Sequence, residues 1–98
     1  MNKANLNNAF KALKKAGYFA RQNFSCCQNC GWSAVPDGQD EKVVFYHKQD
    51  ADDLKESGTC HLAWSGDGKE IVKILNDNGV KTEWEGSENK RIKIDINE

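Results

Sequence analysis

Residues 59–85 read TCHLAWSGDGKEIVKILNDNGVKTEWE. TCHLAWS (59–65) sets Cys60, Leu62 and Trp64 on one side of an extended chain, the pattern of a strand. GDG (66–68) is turn chemistry. Ile71, Val72, Ile74 and Leu75 then recur at helical spacing, and Gly79 supplies the stop. VKTEWE (80–85) returns to alternation, with Val80, Thr82 and Trp84 inward and Lys81, Glu83 and Glu85 outward. Strand, helix and strand over this length suffice for a right-handed parallel crossover.

The flanking segments extend the sheet. RIKIDI (91–96) alternates Ile92, Ile94 and Ile96, and GSENK (86–90) joins it to VKTEWE as a hairpin. KVVFYHK (42–48) is apolar on both sides: Val43, Phe45 and His47 on one, Val44 and Tyr46 on the other. That is the signature of a central strand. DADDLKES (50–57) suits a short helix ended by Gly58, and PDGQDE (36–41) is a turn or loop. Leu6, Ala9, Phe10, Leu13 and Ala16 mark an amphipathic helix stopped by Gly17. YFARQNF (18–24) reads as a connector whose three aromatics pack. The expected fold is a single domain over 1–98 of the α+β class. It has two layers, a mixed sheet of about four strands, and helices mainly on one face.

Composition narrows the function classes. Fourteen basic residues nearly balance fifteen acidic ones, and no segment concentrates them into a cationic stripe. Lys11, Lys14 and Lys15 fall on the polar side of the first helix. A nucleic-acid partner has no electrostatic footprint here. MNKANLNNAF lacks the apolar run of a signal peptide, and no stretch reaches membrane-span length. A cytoplasmic setting is expected. Four cysteines there point to metal, thiol chemistry or packing before disulfides.

Three of those cysteines crowd into FSCCQNCGWS (24–33). Cys27, Cys30 and Gly31 match the C-x-x-C-G knuckle of zinc ribbons, in which Gly31 would take a positive φ. A structural zinc needs two further ligands, and Cys26, His47, Cys60 and His61 are the remaining cysteines and histidines. Cys60 and His61 point to opposite faces of a strand, so they do not serve one ion. The redox alternative has Ser25 capping a helix that begins at Cys26, where unpaired amides favour thiolate. Such motifs follow a strand in βαβ units, whereas a helix and connector precede this one. The third alternative is packing, since free cysteine behaves as a small apolar residue. Alternation with Leu62 and Trp64 assigns Cys60 to the core.

HKQD (47–50) closes a buried strand, where ligands gather in α/β-type sheets, so His47, Gln49 and Asp50 are candidate site residues. Asp50 also suits the cap of the following helix. GDGK (66–69) is too short for a phosphate loop, and no serine has a nucleophile-elbow setting. Trp32, Trp64 and Trp84 lack the basic companions of a base-stacking platform.

Taken in order, FSCCQNCG, VVFYHKQDAD, TCHLAWS, ILNDNGV and TEWEGSENKRIKID resemble a bacterial domain family of unknown function. Its marks are C-C-x-x-C-G, F/Y-H-x-Q-D and W-x-G-x-x-x-x-R-I, and the likeness spans roughly residues 17–95. The resemblance implies no reaction. It groups Cys26, Cys27, Cys30 and Gly31 with His47, Gln49 and Asp50, and singles out Trp84, Gly86, Arg91 and Ile92. Cys60 and His61 depart from the family pattern, which leaves His47 and Asp50 as partners for the cysteines. Members often carry a longer N-terminal helical region, so a partner surface lying there would be missing from this chain.

These readings converge on a small binding or interaction module with Cys26, Cys27, Cys30, His47, Gln49 and Asp50 as its candidate site. In a zinc-stapled version, Cys27, Cys30 and His47 are the metal ligands. In an enzymatic version, Cys26 or Cys27 is the nucleophile, His47 its base and Asp50 the orienting acid. A third version is an association surface around Trp32, for a protein partner or a second copy of the chain.

Overall fold

The computed structural model describes residues 3–24, 28–36, 38, 41–87 and 90–97, residues 28 and 29 by backbone alone. The helices are α1 (Lys3–Lys15), α2 (Gln28–Ala34), α3 (Lys48–Ser57) and α4 (Gly68–Asp77). The strands are β1 (Phe19–Arg21), β2 (Val43–Phe45), β3 (Thr59–Ser65), β4 (Lys81–Glu83) and β5 (Ile92–Asp95). Among the described residues no helix is long and apolar enough to cross a membrane.

The apolar periodicity placed α1 correctly: Leu6, Ala9, Phe10 and Leu13 are buried, and Gly17 follows at φ 95°. The helix expected after Asp67 is also present. The Asp67 carboxylate accepts from the amides of Lys69 and Glu70 and so caps α4. Gly58 ends α3 in the left-handed conformation, its amide bonded to the Leu54 carbonyl.

The five strands form one mixed sheet in the order β1-β2-β3-β5-β4. β1 pairs parallel with β2, and the other three pairings are antiparallel. The expected hairpin is the β4–β5 pair, with Glu83 opposite Lys93. β3 and β4 run in the same direction, as the crossover reading required, but β5 sits between them. The fifth strand is β1, which lies within the segment read as a connector. Three residues at a sheet edge carry too little alternation to announce a strand; pairing of Phe19 with Val43 and Arg21 with Phe45 holds it.

Helices cover both faces, unequally. α1, α3 and α4 pack on one face around Val44, Tyr46, Leu62, Ile92 and Ile94. α2 packs on the other, where Trp32 and Val35 meet Val43, Phe45 and Ala63. The topology accounts for this third, partial layer. β1–α2–β2 and β3–α4–β4 are both parallel crossovers, and both step across the sheet in the same direction. Their strand pairs run oppositely, because β2 and β3 are antiparallel. Two crossovers of one hand must then lay their helices on opposite faces. Beyond Ala63, no helix of the described residues covers the second face of the sheet, which is polar there and carries His61, Lys93 and Glu83.

Candidate functional site

β2 is buried on both faces, and the chain leaves it at Tyr46 and His47 to enter α3. His47 is the N-cap of α3, a role assigned in the sequence reading to Asp50, which instead lies in the first helical turn. His47 Nδ1 accepts the Asp50 amide at 3.4 Å. A nitrogen that accepts carries no proton, so the ring proton sits on Nε2. Nε2 lies 3.2 Å from Asp50 Oδ2 and donates to it. Both ring nitrogens are therefore committed to one residue, in a variant of the reciprocal capping box. The same Oδ2 takes Arg91 Nη1 at 3.5 Å. His47 and Asp50 are 8% and 5% exposed, so this is a buried polar group whose charge is balanced within the fold.

Arg91 is the member that spacing could not locate. It lies 41 positions from Asp50, in the segment leading into β5. Its only sequence signal was the R-I of the C-terminal family motif. The fold thus joins the H-x-Q-D and R-I motifs in one contact.

The remaining candidates are dispersed or outside view. Gln49 is exposed on the first turn of α3, and Cys30 is exposed on α2. Cys26 and Cys27 lie outside the described residues. Of the two geometries open for this segment, helix and knuckle, the structure has the helix at Gly31. Gly31 is helical and buried, and it is not among the positive-φ glycines. Its small size serves close packing, since a Cβ there would strike the Phe45 ring. Among the described residues no three His, Cys, Asp or Glu side chains are arranged to hold a metal ion.

Cys60 is core, as its alternation indicated, and is 3% exposed on β3. Burial pushes its thiol up to about 12, with the charge of Asp50 adding to the effect. The folded chain therefore disfavours the Cys60 thiolate relative to the unfolded chain. The stability this contributes is complete below the unfolded thiol range and is lost as pH rises from about 9 toward 12. A Cys60→Ala variant is expected to flatten that part of the alkaline stability profile in urea titrations. An unchanged slope would show that Cys60 does not titrate with unfolding.

Two clefts accompany these groups. One, of about 290 Å³, lies between the start of α1, Asn23 and α3. Its floor is Tyr46, Ala51, Leu54 and Ile96, and Lys3 and Lys55 stand at its rim. Lys3 Nζ donates to Tyr46 Oη at 2.8 Å, and Tyr46 Oη donates to Gln22 Oε1 at 2.8 Å. Gln22 Nε2 in turn donates to Asn7 Oδ1 at 2.9 Å, which fixes the wall. The other cleft, at the start of α4, is lined by Trp64 and Trp84, whose rings meet edge to face at 5.4 Å. Their indole N–H groups donate to the Lys90 and Ser87 carbonyls, so the loop after β4 orients both rings.

A family model described as a domain of unknown function (DUF6891) matches residues 2–97. No curated protein and no solved structure matches the chain.

Proposed function

We propose, from the premise that the chain belongs to the DUF6891 family of domains of unknown function, that it works as a binding module and not as a thiol enzyme. The observation that carries this reading is the closed His47–Asp50 contact. A general base needs one ring nitrogen free to meet the proton it removes. A zinc ligand needs one as well. His47 has neither unless the cap of α3 opens. Cys60 is protonated and enclosed, which suits packing and not nucleophilic attack. Meanwhile the fold keeps an open cleft with an apolar floor and few polar groups, the usual form of a ligand site.

The zinc version uses Cys27 and Cys30 and the thiol version Cys26 or Cys27, all within one cluster, so one sample separates the three readings. Native mass spectrometry on protein purified without added metal or chelator is paired with thiol titration at neutral pH. A binding module should show thiols no faster than those of a free cysteine peptide, and rates unmoved by His47→Gln. One zinc per chain that shields the clustered thiols would replace this reading with the zinc-stapled module. A fast thiol slowed by His47→Gln would replace it with the enzyme.

A further inference from the structure

We propose that the cleft between α1 and α3 binds a small apolar carboxylate, its body on Tyr46, Ala51, Leu54 and Ile96 and its acid group between Lys3 and Lys55. The proposal deepens the binding-module reading and rests on it.

Size comes first. A cavity of roughly 150 Å³ suffices for benzene, so the cleft of about 290 Å³ suits roughly ten non-hydrogen atoms. The lining gives the body of the ligand its chemistry: four of the seven residues are Tyr46, Ala51, Leu54 and Ile96. The rim gives the sign of its charge. The ion pairs of the described residues lie elsewhere: Glu70 with Lys42, Asp77 with Lys73, Glu83 with Lys93, and Asp50 with Arg91 and His47. Neither Lys3 nor Lys55 has an ion pair among the described residues. An ammonium carries three donors, and the hydrogen bond from Lys3 to Tyr46 uses one of them. Burial holds the Lys3 ammonium below its ordinary value, and the charge of Lys55 presses the same way against the opposing influence of Cys60. An anion placed between the two ammoniums would relieve both costs.

The geometry is also prepared in advance. Lys3 is tied to Tyr46, and Tyr46 to Gln22 and Asn7, so the rim cation is positioned before a ligand arrives. On the opposite wall Ala51 and Leu54 lie on α3, whose start is held by His47. The buried polar group described above thus supports one side of the cleft and need not touch the ligand.

The test is an amide-resonance titration of the full chain with octanoate, which has ten non-hydrogen atoms, against 1-octanol, octylammonium and acetate. Octanoate should move the amides of Ala51, Leu54, Lys55 and Ile96 in a saturable way, with octylammonium about tenfold weaker or silent. Lys55→Gln, at an exposed position, should weaken octanoate about three- to tenfold and leave octanol unchanged. Ala51→Trp, which fills the cleft, should abolish the response while the remaining spectrum stays dispersed. Equal binding of octanol and octanoate, indifferent to Lys55→Gln, would overturn the anionic class and leave a binding module for neutral ligands. Acetate matching octanoate would overturn the apolar component. No response at the cleft to any probe would overturn the proposal, while the thiol and metal measurements above judge the binding-module reading separately.

Discussion

Phe45→Ala is expected to cost about 3–5 kcal/mol of folding stability, the usual range for a fully buried aromatic cut to alanine. Phe45 is 0% exposed and lies at the centre of the smaller core. Its ring meets Trp32 at 5.2 Å and Phe24 at 5.7 Å, both edge to face, and it abuts Gly31. No other described side chain on that face is as large and as enclosed, so neighbours cannot close the void. A domain of this size has a total stability of about 5–15 kcal/mol, so the loss is a large fraction of it. The damage should be local before it is global. α2 has seven residues and cannot stand without its contact surface. Urea denaturation gives the magnitude, and amide exchange should show α2 opening while α1 and α4 stay protected. A loss under about 1 kcal/mol, with α2 still protected, would mean that the second face contributes little to the fold.

Asp50→Ala is expected to cost about 2–4 kcal/mol, since removing one partner of a buried charged pair leaves the others without compensation. The His47 Nε2–H and the Arg91 guanidinium would both lose their shared acceptor. Arg91 is partly exposed and can turn to water, which keeps the figure below that of a fully enclosed pair. Arg91→Ala alone should therefore cost less than Asp50→Ala. The double variant should fall short of the sum by at least about 0.5 kcal/mol. Strict additivity in that cycle would dissolve the link between the two motifs. Because α3 begins at this cluster, Asp50→Ala should also loosen the wall of the cleft and weaken octanoate there.

Much of the fold could be read before any coordinates. α1, β3, α4 and the β4–β5 hairpin each announce themselves through a local period, because an amphipathic element must place its apolar residues on one side. β2 was legible because Val43 through Tyr46 are apolar without interruption. β1 was not: Phe19, Ala20 and Arg21 are a strand by virtue of β2 beside them. The site divides in the same way. His47 and Asp50 drew attention as neighbours in sequence, three apart. Their exchange of roles, with the histidine capping and the aspartate reaching back, depends on ring orientation, about which spacing is silent. Gly31 looked like a knuckle glycine because C-x-x-C-G is a local pattern. Its actual constraint is the Phe45 ring, 14 positions away and on another element.

Periodicity and turn chemistry are short-range, so they settled the α+β class, the order of most elements and the burial of Cys60. The strand order, with β5 inserted between β3 and β4, depends on which edges pair. The placement of α2 follows from that order, because two crossovers of one hand on opposed strand pairs must use opposite faces. The Asp50–Arg91 contact and the paired lysines of the cleft share this origin. Each joins residues more than forty positions apart, and chain proximity in space comes from packing, which no local pattern encodes.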